Sequence, residues 1–178
     1  SDARAGEQAK YLNTAETPIY RKGEVLYNLH RARQTVSRSG QVFVVEGYTD
    51  VIGLAQAGID TAVATCGTAL GEKHFELLSR FAQRAVLAFD SDEAGARAAE
   101  RAFAFQERYP VQADVMIMPE GLDPAEFVAK HGAEAVSEAA RSGGETGEGR
   151  VALLREAYAA FNRPHFAAVL GRLDARVE

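Results

Sequence analysis

The chain has 178 residues, of which 47% are hydrophobic and 25% are charged, and its formal net charge is −5. This composition predicts one globular domain with an ample core, and it argues against a module that grips duplex DNA by itself, since phosphate neutralisation needs clustered Lys and Arg. No apolar run approaches the roughly eighteen residues of a membrane span, and the N-terminus has no signal-peptide core, so the sequence predicts a cytoplasmic protein without membrane contact.

Strand and helix patterns alternate along most of the chain. An N-terminal segment, 1–40, contains a predicted helix that opens at Gly23 and Glu24 and runs to about Arg38. Apolar runs of strand length follow at 42–46, 61–65, 85–90 and 113–118. Helical patterns lie between them at about 49–57, 72–83 and 93–108. The order predicts an α/β fold with a mainly parallel four-stranded sheet flanked by helices.

The end of the chain differs in composition from the predicted domain, which covers 41–141. Residues 142–149 include four glycines in eight positions, too many for a helix or a strand, and predict a flexible linker. Two short amphipathic patterns in 150–178 predict a helical tail. Cys66 is predicted to be a buried, inert thiol, and no histidine has a second ligand at metal spacing, so all four are predicted to be ordinary core or surface residues: His30, His74, His131 and His165.

Carboxylates follow two of the predicted strands where each strand ends. Glu46 and Asp50 flank a turn at Gly47 after the first strand, and Asp90 and Asp92 follow the third. Because the carboxyl ends of parallel strands meet at one edge of a sheet, we expect the four acids to lie together. Like charges so close need a cation between them, and oxygen ligands suit Mg²⁺ or Mn²⁺ rather than zinc. Helix capping explains any one acid alone, whereas the four together favour a metal site.

Three short motifs occur in an order and spacing typical of one known domain: Glu46-Gly-Tyr-Thr-Asp50, Cys66-Gly-Thr-Ala-Leu70 and Asp90-Ser-Asp-Glu-Ala-Gly95. They resemble the successive motifs of the Toprim domain as found in bacterial DnaG-type primases. Upstream, Lys10-Tyr-Leu-Asn-Thr14 and the stretch 16–23 are similar to the sequence that precedes the domain in that family. The resemblance covers about residues 9–136.

The resemblance implies the catalytic core of a DNA primase, which makes short RNA primers on single-stranded DNA by metal-dependent nucleotidyl transfer. Asp90 and Asp92 would be the principal Mg²⁺ or Mn²⁺ ligands, supported by Asp50. Glu46 would either bind metal or act as the general acid/base. Four upstream residues would face the nucleoside triphosphate and the template: Lys10, Tyr11, Asn13 and Lys22. Alternatively, these four residues are exposed loop residues without a binding role.

Another acid, Asp123, matches a family position that supplies a further metal ligand. Its alternative role is a helix cap, with Pro124 at the first helical position. The family often has a second Asp two residues after this position, whereas this chain has Ala125 and then Glu126. The sequence therefore does not predict a full ligand shell for a third metal.

Primases of this type also carry a zinc module, more of the polymerase region and a tail that contacts the replicative helicase. The chain lacks a Cys/His set for zinc, and few residues precede Lys10, so we expect a fragment that binds metal, binds nucleotide weakly and synthesises primers feebly by itself. Three other Toprim classes are alternatives. A nuclease would use the same acids with water as the attacking group. A recombination-mediator-like module would use the fold for binding without catalysis. A type IA topoisomerase would need a much longer chain.

Overall fold

The computed structural model describes residues 15–18, 20–65, 67–89, 93–116, 118 and 122–142. Its strands are β1 (Gln41–Val45), β2 (Ala62–Ala64), β3 (Arg84–Leu87) and β4 (Gln112–Val115). They form a sheet with the order β2-β1-β3-β4, and all three pairings are parallel. The helices are α1 (Leu29–Ser39), α2 (Tyr48–Gln56), α3 (Glu72–Leu78), α4 (Glu93–Gln106) and α5 (Pro124–Ser142). The predicted α/β fold is confirmed.

Both faces of the sheet are buried, which explains why its strands read as continuous apolar runs. Successive side chains of a strand point to opposite faces. In β1, Val42 and Val44 join one core cluster with residues of α1, α3 and α4, while Phe43 and Val45 join a second cluster with residues of α2 and α5. The helices thus cover the sheet in two layers, and the carboxyl ends of the strands form one edge.

The N-terminal helix begins later than predicted. Lys22–Glu24 form one 3₁₀ turn, and the α-helix starts only at Leu29. Between them Tyr27 forms an antiparallel bridge with Ala64, donating to its carbonyl at 2.8 Å and accepting from its N–H at 3.3 Å. Asn28 then adopts φ +66°, and its side-chain amide donates to the Ala62 carbonyl at 3.0 Å. The prediction of one continuous helix from residue 23 was wrong over residues 25–28, because pairing with β2 outweighs the local apolar periodicity.

The third helix is shorter than predicted, ending at Leu78 rather than at residue 83. The chain turns after Leu78 because the backbone of Gln83 forms hydrogen bonds with residues at the edge of the sheet. Its N–H donates to the Gly40 carbonyl at 2.8 Å, and its carbonyl accepts from the Gln112 N–H at 2.8 Å. A residue whose backbone is bonded to the starts of β1 and β4, on either side of β3, cannot continue the helix.

A guanidinium group joins several elements at the amino-terminal edge of the sheet. Arg84 donates to the carboxylate of Asp114, to the side-chain oxygen of Gln41 at 2.8 Å, and to the carbonyl of Ala140. Asp114 is 1% exposed. The charge pair is therefore largely removed from water, and it connects β1, β3 and β4 with the end of α5.

Helices α2 and α5 touch at a position without a side chain. A Cβ atom added to Gly53 would lie 2.8 Å from Cβ of Ala125 and 3.1 Å from its Cα, closer than atoms can approach without a shift. Asp50 precedes Gly53 by three residues and Asp123 precedes Ala125 by two. Both acids are therefore less than one helical turn from this contact. None of the helices in the described ranges is long and apolar enough to cross a membrane.

Candidate functional site

The first acidic pair lies where β1 gives way to α2. Glu46 directly follows the strand and is exposed, and Gly47 separates it from the first residue of α2. Asp50 is 7% exposed, and its Oδ2 accepts the N–H of Gly47 at 3.2 Å. Asp50 thus has the capping contact that was its alternative role, and this contact fixes the turn directly after Glu46. A metal role for either acid stays a prediction.

Asp123 stands at the start of α5 in a reciprocal capping arrangement. Its Oδ1 accepts the N–H of Glu126 at 2.7 Å, and Oε2 of Glu126 accepts the N–H of Asp123 at 3.3 Å. Pro124 is the first residue of the helix, where a missing N–H costs nothing. The alternative role of Asp123, as a helix cap, is thus observed. The ligand role of Asp123 remains a prediction.

Several candidate residues lie outside the described ranges: Lys10, Tyr11, Asn13, Cys66, Asp90 and Asp92. Their assigned roles therefore remain predictions, as do the linker and tail beyond Ser142. Within the described part of the chain, no three His, Cys, Asp or Glu side chains gather closely enough to hold a metal ion. The donor chemistry of Glu46 and Asp123 still fits a hard divalent cation, since each is a carboxylate at least partly open to solvent at the end of a core element. A complete cage would need the acids at 90 and 92.

Lys22 is the member of the predicted substrate-binding group that the structure describes. It is partly buried in the 3₁₀ turn, and both of its backbone groups are held by side chains. Its N–H donates to Oε1 of Glu16 at 2.8 Å, and its carbonyl accepts from Nε2 of His74 at 3.0 Å. The backbone at Lys22 is thus fixed from both sides.

His74 is the site-related residue that the sequence analysis missed. It is 0% exposed, and its Nδ1 accepts the N–H of Gly71 at 3.1 Å. A ring nitrogen that accepts carries no proton, so the ring is the neutral tautomer with its proton on Nε2, which donates to Lys22. His74 stands three residues after the residue that caps α3, the position from which a side chain reaches back to the cap. That spacing was the available signal for its capping role, but the contact with Lys22 has no local signature.

The burial of His74 predicts a loss of stability in acid. Desolvation lowers the pKa of His74 below its ordinary value, more than the backbone hydrogen bonds with Lys22 and Val25 raise it. The unfolded chain then binds the proton more readily than the folded chain. The free energy of unfolding should be unaffected above the unfolded-state pKa of about 6.5, and should fall by up to about 1.4 kcal/mol per pH unit as the pH drops toward the folded-state pKa.

Urea denaturation at pH 7.5, 6.5 and 5.5 measures this dependence, with His74→Gln as the matched control. The difference between the two proteins should shrink as the pH falls, because glutamine does not titrate. A pH-independent difference would contradict the prediction.

Comparisons with known proteins assign the family. A sequence model described as Toprim-like matches residues 43–128, and one described as the N-terminal domain of the DNA primase catalytic core matches residues 2–33. A DNA primase of Streptomyces coelicolor is 40% identical over 134 residues, which are 72% of this chain and 21% of that protein. The chain belongs to the DNA primase family. Family membership implies dependence on a divalent metal in general.

Solved primase structures agree with this assignment. The catalytic core of the Escherichia coli primase matches with a TM-score of 0.69 and 40% identity, over 76% of this primase chain and 45% of that one. A DnaG primase catalytic domain bound to single-stranded DNA matches with a TM-score of 0.69 and 38% identity, over 77% of this chain and 44% of that one. The chain spans about a fifth of the length of the curated relatives it matches.

Proposed function

We propose that the chain forms part of a DNA primase catalytic core, which joins ribonucleotides into short RNA primers on a single-stranded DNA template. The observation that carries this proposal is the placement of Glu46 and Asp50 at the carboxyl end of β1 in a parallel sheet that matches primase catalytic cores. The similar catalytic domain bound to single-stranded DNA supports the choice of template.

The cation we propose is Mg²⁺ or Mn²⁺, since the candidate ligands are all carboxylates. Asp90 and Asp92 would be its principal ligands, and Asp50 and Asp123 would complete or support the shell. When bound, the cation lowers the pKa of the attacking 3′-hydroxyl and offsets charge on the triphosphate.

The residues of the chain supply position and proton transfer. Glu46, which is exposed directly after β1, would bind metal or accept the hydroxyl proton. Asp50 holds the turn on which Glu46 stands through its contact with the Gly47 N–H. A fixed turn restricts the positions that the Glu46 carboxylate can reach, so less conformational freedom is lost when the reactants bind, and this favours catalysis.

The N-terminal segment would hold the substrates. Lys10 and Lys22 would offset phosphate charge, Tyr11 would stack or form a hydrogen bond, and Asn13 would contact the nucleotide. This assignment agrees with the sequence of the segment, where basic residues are denser than in the rest of the chain. The replicative helicase would be met through other regions of the protein, and we propose the cytoplasm as the place of action.

A chimera tests the proposed function. In it, the residues of this chain that match the E. coli catalytic core replace their counterparts there, and primer synthesis is measured on single-stranded DNA with Mn²⁺. The chimera and its Asp60→Asn variant, changed at an exposed acid before β2, should make primers, whereas Asp90→Asn should make almost none. Metal-dependent nicking of DNA without primer formation by a chimera that melts cooperatively would favour a Toprim nuclease and overturn the proposal.

A further inference from the structure

The segment that carries Lys22 is anchored to the rest of the domain at two places. Tyr27, five residues later, pairs with Ala64 at the end of β2, and the buried side chain of His74 contacts Lys22 itself. Glu16, which accepts the Lys22 N–H, belongs to the same N-terminal segment. Val25, whose N–H donates to the Lys22 carbonyl at 3.4 Å, belongs to the same turn. These two contacts shape the turn but do not place it. His74, at 3.0 Å from the Lys22 carbonyl, reaches it from α3 across 52 residues of sequence.

The ring of His74 cannot easily move. Its side chain is 0% exposed, and its other nitrogen accepts the Gly71 N–H at the start of α3. Both ring nitrogens have backbone partners, and rotating the ring by half a turn would leave a buried N–H and a buried carbonyl mismatched, which is unfavourable. The Nε2 proton therefore defines one position for the Lys22 carbonyl relative to α3.

We propose that His74 is a positioning residue for substrate binding, which acts by fixing the backbone of Lys22 so that the lysine ammonium meets a phosphate group. The inference rests on the proposed phosphate-binding role of Lys22. A lysine side chain is long and flexible, so its ammonium samples a large volume unless its Cα is fixed. Fixing the backbone reduces the entropy that is lost when the phosphate binds.

Two substitutions separate the two contacts of His74. Asparagine places an oxygen near the position of Nδ1, so His74→Asn retains an acceptor for Gly71 but does not reach Lys22. Glutamine places its amide nitrogen near the position of Nε2, so His74→Gln retains a donor for the Lys22 carbonyl and loses the Gly71 acceptor. Lys22→Ala removes the charge itself and serves as the reference.

Two phosphate-bearing probes are used with the full chain. Calorimetry with ATP and Mg²⁺ reports nucleotide binding, and fluorescence anisotropy with a labelled oligothymidylate at several salt concentrations reports template binding. If Lys22→Ala weakens only ATP binding, the phosphate that Lys22 contacts belongs to the nucleotide. If it weakens only oligonucleotide binding, that phosphate belongs to the template. For single strands, loss of one phosphate contact lowers the slope of log Kobs against log salt by about 0.7.

We expect Lys22→Ala to weaken binding of at least one probe by about tenfold, the effect of about 1.4 kcal/mol. His74→Asn should reproduce at least about a threefold loss, and His74→Gln should stay within about twofold of the original chain, since it keeps the Lys22 bond. In the Lys22→Ala background, His74→Asn should have no further effect, because the two residues act through one contact.

The outcomes distinguish this inference from the proposed role of Lys22. If Lys22→Ala weakens binding while His74→Asn does not, or if His74→Asn weakens it further in the Lys22→Ala background, the positioning role is wrong and the lysine role stands. If Lys22→Ala itself leaves both probes unaffected, both are wrong. Should His74→Asn fail to melt cooperatively, His74→Leu, which also lacks a donor to Lys22, takes its place: a loss of at least about threefold beside retained binding by His74→Gln supports the inference, and binding equal to that of the original chain overturns it.

Discussion

Replacing Arg84 with methionine should lower the free energy of unfolding by about 3–5 kcal/mol. Methionine keeps much of the side-chain volume but removes the charge that faces Asp114, which is 1% exposed. It also removes the donors to Gln41 and to the Ala140 carbonyl, which join three strands and α5. A carboxylate held in the interior without its arginine is far more costly than the pair itself is favourable. Urea denaturation at pH 7 measures the change.

Arg80→Met is the matched control for this prediction. Arg80 pairs with Glu76 at 3.2 Å one helical turn away, and the Arg80 side chain is 63% exposed. Its loss should cost less than about 1 kcal/mol, because water screens the pair. The double variant Arg84→Met/Asp114→Leu should recover much of the stability lost in Arg84→Met, since it also removes the buried negative charge that the arginine had offset. Equal losses for Arg84→Met and Arg80→Met would show that the buried pair contributes no more than a surface pair.

Removing either acid of the Asp90-Ser-Asp92 motif should abolish most Mn²⁺ binding. Asp90→Ala and Asp92→Ala each delete a proposed principal ligand, so the loss of affinity should exceed the roughly 10–100-fold that follows removal of a residue supporting a ligand. Glu46→Gln should weaken binding less if Glu46 serves mainly as acid/base. Isothermal titration calorimetry of the full chain with Mn²⁺ measures the three variants side by side.

Asp60→Ala is the control for the Mn²⁺ titration, because it removes one carboxylate from an exposed position before β2. It should bind as the original chain does. Unchanged affinity in Asp90→Ala and Asp92→Ala would place the cation elsewhere, and the proposed role of this motif in nucleotidyl transfer would then be wrong.

The sheet could be predicted from the sequence because burial on both faces leaves a clear local signal. Each strand is an apolar run bounded by turn residues, as in Gln41–Val45 ahead of Gly47. The beginning of α1 could not be predicted in the same way. Val25 and Leu26 fit a helical pattern, but Tyr27 pairs with Ala64, and this choice depends on a strand that lies far along the chain.

For the candidate site, only the positions of some residues in the fold can be compared with the sequence, and their roles stay predictions. Glu46 and Asp50 were located from their place after a strand, and the helix start at Asp123-Pro124 from its turn chemistry. The link between His74 and Lys22 was missed because it is a single hydrogen bond between residues 52 positions apart. The pairing of Arg84 with Asp114 was also missed, since neither residue differs from a solvent-exposed charge until β3 and β4 are known to be neighbours.

The contact between Gly53 and Ala125 limits how this protein can vary. Ala125 has a methyl side chain, and there is no space for a methyl group at Gly53. The sum of the two side-chain volumes is therefore limited. An aspartate at 125 would enlarge the side chain that faces the backbone of α2 and would push the two helices apart. Among close homologues, substitutions at positions 53 and 125 should therefore occur together. A larger side chain at one position should be accompanied by a smaller one at the other.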